Sequence, residues 1–312
     1  MTALRPPWED LPAFVTDAVA VLLGSPVVAA VSQTSGFSPG HADRVVTASG
    51  RRAFVKAAPE SLGAAADLYR AEAAALALLP PEVGAPELLG VVGEDGWVAI
   101  VTEEIDGTHP SEPPTREELV AILDEVAQAP AWADPDEVPH TEASLSVAFA
   151  VWPSLAVEHP DAVPEWTLPL AEEFDALAVA AAEETAGERV VHLDLRADNV
   201  LIDRTGRARL VDWAWASAGA PWIDALTMLI DARRLGSPDT DALLAEHPAF
   251  DGVTASTVDG ALAGLAGLFL SGSLNPAPPR MPELRPFQAV EAHAAFAWLR
   301  DRRDARSVSR PA

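Results

Sequence analysis

The 312-residue sequence contains no cysteine, one lysine, one tyrosine and two asparagines. Without cysteine there is no disulfide framework, no thiolate nucleophile and no thiolate zinc site, and the composition suits a reducing, cytoplasmic setting. Long apolar runs are also missing. The most hydrophobic stretch, ALAGLAGLFL over 261–270, is too short to cross a bilayer and predicts a buried helix, so no membrane partner is expected. The opening residues, MTALRPPWEDLPAF, show no basic stretch leading into an apolar core, so no secretory signal is expected. Basic residues are scarce, with 21 Lys and Arg against 47 Asp and Glu and a formal net charge of −26. Such a surface excludes nucleic acid, whose phosphates require a basic partner, and attracts cations at long range. The same acidity also serves solubility alone. Five arginines (Arg300, Arg302, Arg303, Arg306 and Arg310) crowd the last thirteen residues, as a frayed helix end or a site.

With 49% hydrophobic and 22% charged residues, the chain is globular and long enough for one large domain or two lobes. The turn at Ser49-Gly50 between two β-rich runs predicts a hairpin over 44–57. An Ala- and Leu-rich helix over 62–79 follows, stopped by Pro80-Pro81. Two strands around Glu94-Asp95-Gly96 complete a β-rich N-terminal region ending near residue 105. Beyond 115 the spacing is mostly helical, except for a strand-rich island around 189–215 and a Pro- and Trp-rich stretch over 130–166 that reads as irregular.

The island carries the chemistry. In VVHLDLRADNVLI, the polar side chains of His192, Asp194 and Asn199 follow an apolar strand, and the next apolar run ends at Asp212. A loop and hairpin of this kind aim two carboxylates and an amide oxygen at one cleft, a donor set that suits Mg²⁺. The seven histidines show no zinc-type pairing.

The pattern H-x-D-x-x-x-x-N, followed by a strand ending in Asp, resembles the catalytic and metal-binding loops of kinase-fold phosphotransferases. HLDLRADN lacks the Arg of a protein-kinase H-R-D, and DWA at 212–214 stands where D-F-G would. With APWIDALTMLI downstream, these departures are similar to the aminoglycoside phosphotransferases and related antibiotic-type small-molecule kinases. The resemblance is strong over roughly 190–230.

That resemblance implies an α+β, bilobal protein-kinase-like fold. A small β-rich N-lobe with one helix would bind nucleotide over 1–105, and a larger, mostly helical lobe over 106–312 would carry catalysis and the acceptor. It implies ATP or GTP as phosphoryl donor with Mg²⁺, and a small-molecule acceptor: an aminoglycoside or other sugar-containing antibiotic, a nucleoside antibiotic, or a metabolic amino sugar. Lys56 would hold the α- and β-phosphates, since a compact ammonium enters a narrow slot that a planar guanidinium does not. Glu72, on an apolar helical stripe with Leu68, Leu76 and Leu79, would be its partner. Ser35, Gly36 and Ser38 would offer backbone N–H groups to phosphate, or form an ordinary turn. Glu103, Glu104 and Ile105 would be the hinge that meets the base. Asp194 would be the catalytic base, and Asn199 and Asp212 the metal ligands. Arg196 would touch the γ-phosphate, or pair with Asp198 or Asp224. His192 would brace the loop, and Asp224 would fix its backbone from the start of a helix. Trp132, Trp152 and Trp166 would stack on the acceptor or pack in the core, and the acidic residues of the same stretch would hold its ammonium groups.

Other readings fare less well. Only eleven residues separate Asp212 from Asp224, too few for a protein-kinase activation loop. GFSPG at 36–40 matches G-x-S-x-G, but Pro39 and a β-rich run follow Ser38 where a nucleophile elbow needs a helix. A non-catalytic kinase-like binding module would not need all of Lys56, Asp194, Asn199 and Asp212. The sequence sets no oligomeric state.

Overall fold

The computed structural model describes residues 5–33, 36 and 38–308. The chain forms two compact units. The first comprises the chain up to His109, Asp198–Ala216 and Pro279–Met281; the second comprises Pro110–Ala197, Ser217–Pro278 and the chain from Pro282. The hairpin after Asp198 thus groups with the N-terminal unit rather than with the sequence around it.

The first unit is built on an antiparallel five-stranded sheet: β1 (Val27–Ser32), β2 (His41–Thr47), β3 (Arg52–Pro59), β4 (Leu88–Glu94) and β5 (Trp97–Glu103), in the order β1-β2-β3-β5-β4. Strand pleat sends alternate side chains to opposite faces. Val45, Ala53, Val55 and Val101 meet Val19 and Leu23 of helix α1 (Ala13–Leu23) on one face. Ala58, Val98 and Ile100 meet Ala65, Ala66, Tyr69 and Ala73 of α2 (Ala64–Leu78) on the other. Lys56, between Val55 and Ala57, therefore shares the α2 face. Gly40 leads into β2, and a two-residue strand β6 (Gly107–Thr108) pairs with β8 (Val200–Asp203), which pairs in turn with β9 (Ala208–Leu210).

In the second unit, α3 (Arg116–Ala127) starts with a capping box between Thr115 and Glu118. The stretch expected to be irregular folds into α4 (Thr141–Phe149) and α5 (Trp152–Glu158). Leu145, Phe149, Trp152 and Leu155 supply its buried face, and Pro153 sits in the first turn of α5, where its missing N–H costs nothing. Trp132 and Trp152 are core residues: their indole N–H groups donate to Ser217 O at 2.9 Å and Ala263 O at 3.1 Å. Neither is placed to stack on an acceptor. Trp166 is half-buried, edge-on to Phe174. Next come α6 (Ala171–Glu183), a two-stranded sheet of β7 (Arg189–Val191) and β10 (Ser217–Gly219), α7 (Trp222–Arg234) and α8 (Thr240–Glu246). The apolar run 261–270 lies within α9 (Ala255–Ser273), 19 residues and long enough to span a bilayer, yet largely buried against α6 and α10 (Leu284–Val308).

Candidate active site

A cavity opens inside the first unit. Phe54 and Lys56 face it from β3, two residues apart as the pleat requires. Thr102, Glu103, Glu104 and Ile105 border it at the end of β5, and Leu201 and Val211 line it from the hairpin β8–β9.

The Lys56 ammonium is buried and donates to both Glu72 carboxylate oxygens, at 2.6 and 2.7 Å. It also pairs with Asp212 Oδ1. Burial lowers the ammonium's pKa, the Glu72 charge and hydrogen bonds push it back up, and the nearby Arg5 charge lowers it again. Glu72 is itself buried on the face of α2 formed with Tyr69, Ala73 and Leu76, so its pairing with Lys56 offsets the penalty of a buried carboxylate. That face is richer in alanine than the leucine stripe predicts; Leu68 is half-buried and Leu79 lies just past the helix.

Asn199 is buried at the start of β8, and its carbonyl accepts the Val211 N–H at 2.9 Å, which closes the hairpin and sets Asp212 close by in the chain. The Asp212 backbone is left-handed (φ 68°), a conformation that costs a non-glycine residue about 1–2 kcal/mol. Held in this turn, its carboxylate meets the cavity with a side chain 43% exposed. A buried amide oxygen donor and a half-open carboxylate at one cavity fit a hard divalent cation that keeps part of its water shell.

In the second unit, the loop after β7 is held from α7. The buried Asp224 carboxylate accepts His192 N–H at 2.6 Å and Leu193 N–H at 2.8 Å. Burial pushes its pKa up to about 7, the two backbone hydrogen bonds oppose the rise, and the Asp194 charge adds to it. Leu193 is left-handed (φ 61°), and the Asp194 N–H donates to His192 Nδ1 at 3.3 Å. Two turns further along α7, Asp231 accepts the Ala197 N–H at 2.8 Å. The carboxylate of Asp194, 38% exposed, lies 3.7 Å from Arg196 Nε, and the Arg196 guanidinium sits 4.8 Å from the Phe287 ring centroid.

The family model described as "Phosphotransferase enzyme family" matches residues 35–267, about three quarters of the chain. The chain belongs to this phosphotransferase enzyme family. Solved structures agree on the fold. A thermostable variant of aminoglycoside phosphotransferase APH(4)-Ia, in ternary complex with AMP-PNP and hygromycin B, superposes with a TM-score of 0.59 at 14% identity, over 93% of this chain and 98% of that one. A putative fructosamine-3-kinase from Thermobifida fusca YX-ER1 gives 0.57 at 20% identity, over 91% and 98%. An aminoglycoside phosphotransferase from Alicyclobacillus acidocaldarius subsp. acidocaldarius DSM 446 gives 0.57 at 14%, over 91% and 95%. No curated protein matches. The bilobal kinase-like fold expected from the sequence is therefore the fold of this small-molecule phosphotransferase.

Within this phosphotransferase, Lys56, Glu72, Gly36, Glu103, Glu104, Ile105, Asn199 and Asp212 border one cavity. Ser35 lies outside the described residues. The Ser38 hydroxyl lies 2.7 Å from that of Tyr69, and Ser38 is not among the described lining residues. Glu104 is held by Arg52 in a two-point contact at 2.6 and 2.9 Å. Glu103 accepts from Arg209 Nη2 at 3.3 Å. Sequence reasoning missed Phe54, Leu201 and Val211, the apolar walls. The signal was present, since each lies one or two residues from a predicted polar group. It also missed Asp231, seven residues after Asp224 and so on the same face of α7.

Proposed function

We propose that this phosphotransferase moves the γ-phosphoryl group of ATP or GTP to a hydroxyl of an amine-bearing sugar, such as an aminoglycoside or other sugar-containing antibiotic. The observation that carries the reading is the sole lysine, clasped by Glu72 and Asp212 at a cavity that the hinge-side end of β5 and the β8–β9 hairpin also line. In this reading Lys56 binds the α- and β-phosphates, and Glu72 keeps its ammonium in place. Phe54, Leu201 and Val211 enclose the base, with the backbone at Glu103, Glu104 and Ile105 at its edge. Asn199 and Asp212 would hold Mg²⁺, which when bound neutralises charge on the phosphate oxygens. Asp194 orients the acceptor hydroxyl and takes its proton as the new O–P bond forms. The bond from the γ-phosphorus to the β,γ-bridging oxygen breaks, and the nucleoside diphosphate leaves with that electron pair. The carboxylate of Asp194 also keeps the Arg196 guanidinium beside it, which suits Arg196 to steady phosphate oxygens during transfer.

The acceptor class rests on charge and on the names of fold relatives. A net charge of −26 attracts ammonium groups, and relatives are described with hygromycin B or as a fructosamine kinase. The test is a panel of aminoglycosides, amino sugars and nucleosides offered with ATP and with GTP, read as the mass gain of one phosphate. Asp194→Ala should lower turnover by roughly 10³-fold or more while nucleotide affinity holds. Near-wild-type turnover would remove Asp194 from the mechanism, and no phosphorylated product across the panel would overturn the amine-bearing-sugar acceptor and turn the search to other glycosylated compounds.

A further inference from the structure

We propose that Arg5 is a second phosphate-binding cation of the cavity, supplied by the segment ahead of α1. The inference rests on the nucleotide reading above and extends it to a residue outside every motif.

Arg5 lines the cavity with Lys56, Glu72 and Asp212, and its Nε is buried with no hydrogen-bond partner among the described residues. Its head packs against the turn between β1 and β2. A Cβ placed on Gly36 would stand 2.8 Å from Arg5 Nη2, so the glycine, at φ 87°, leaves the room that the guanidinium fills. Lys56 is matched by two carboxylates, whereas Arg5 is not. Burial lowers the Arg5 pKa, and Tyr69 and then Asp43 oppose the fall, yet among the described residues no ion pair joins Arg5 to Asp43. One Asp43 oxygen accepts from Ser32 Oγ at 2.5 Å, and the other has no partner. Two cations at a single cavity, one of them with a buried Nε that no described group accepts from, form a site that an anion completes. A triphosphate supplies several charged oxygens, whereas the nucleoside alone supplies none. Arg5 thus senses the phosphate chain and not the base.

The test is calorimetric titration of wild type, Arg5→Gln, Arg5→Lys and Lys56→Ala with ATP, GTP, adenosine, guanosine and inorganic tripolyphosphate. Arg5→Gln should weaken triphosphate and tripolyphosphate binding by roughly 10- to 100-fold and leave the nucleosides within about twofold. Arg5→Lys should recover part of the loss, since a point charge lacks the fork. Unchanged triphosphate affinity in a folded Arg5→Gln, or an equal loss for nucleoside and triphosphate, overturns the proposal. Should Arg5→Gln not fold, Arg5→Lys decides: several-fold weaker triphosphate binding supports the proposal, and wild-type affinity overturns it. Failure of both to fold overturns it too, since the guanidinium would then be structural. The nucleotide reading fails separately, if wild type binds neither ATP nor GTP; tripolyphosphate then still tests Arg5. Loss of binding in Lys56→Ala but not in Arg5→Gln would keep that reading and remove only this one.

Discussion

Asp224 holds two consecutive backbone N–H groups of the loop that presents Asp194, and burial raises its pKa from 3.8 to about 7. The fold therefore binds a proton here that the unfolded chain has released. The stability contribution is fully present below about pH 4 and is lost as pH rises through about 7. Glu291, raised to about 8 by burial and by Asp231, acts in the same direction, so the comparison must isolate Asp224. Urea unfolding of wild type and Asp224→Asn at pH 5 and pH 8 should show a larger fall in midpoint for wild type. At this scale the sequence was informative where one residue type stood alone. Lys56 stood out among arginines, and Glu72 stood out on an alanine and leucine helix. Arg5 was hidden among twenty arginines because nothing local marks a side chain whose neighbours come from a distant turn.

Helix α9 shows how small residues set the approach of its neighbours. A Cβ on Gly264 would stand 2.3 Å from Phe149 Cδ2, and Phe149 is fully buried beside Trp152. Gly264→Ala should gain about 1 kcal/mol of helix propensity and lose more to overpacking. We expect a net loss of about 2 kcal/mol, measured by chemical denaturation. The C-terminal arginines belong to this scale as well. Arg302 donates to the buried Asp259 of α9 at 2.8 Å, Arg306 pairs with the same carboxylate, and Arg303 reaches Glu173 of α6 at 2.6 Å. They tie α10 to its neighbours instead of forming a basic tip. Helices with regular apolar spacing were legible in the sequence. Those at 141–158 were not, because Trp and Pro suggest a loop until the buried face they pack against is known.

Across the whole molecule, the excess of 26 negative charges acts beyond any one contact. If the acceptor is a polyamine sugar, its KM should rise several-fold between roughly 10 and 300 mM salt, while kcat and the KM of an uncharged acceptor change little; steady-state kinetics would show this. The two-lobe plan could be read from the switch between strand and helix spacing. The membership of 198–216 in the first unit could not. It depends on contacts such as His109 Nδ1 with Val200 O, 91 positions apart, and Arg209 Nε with Gly84 O, 125 apart. No local pattern announces a partner so remote.

The stitched make-up of the first unit also orders events during synthesis. When the five-stranded sheet leaves the ribosome, it carries Lys56 and Glu72 but neither Asn199 nor Asp212. The lysine therefore waits with one carboxylate partner, beside an unfinished apolar wall, until the β8–β9 hairpin is translated.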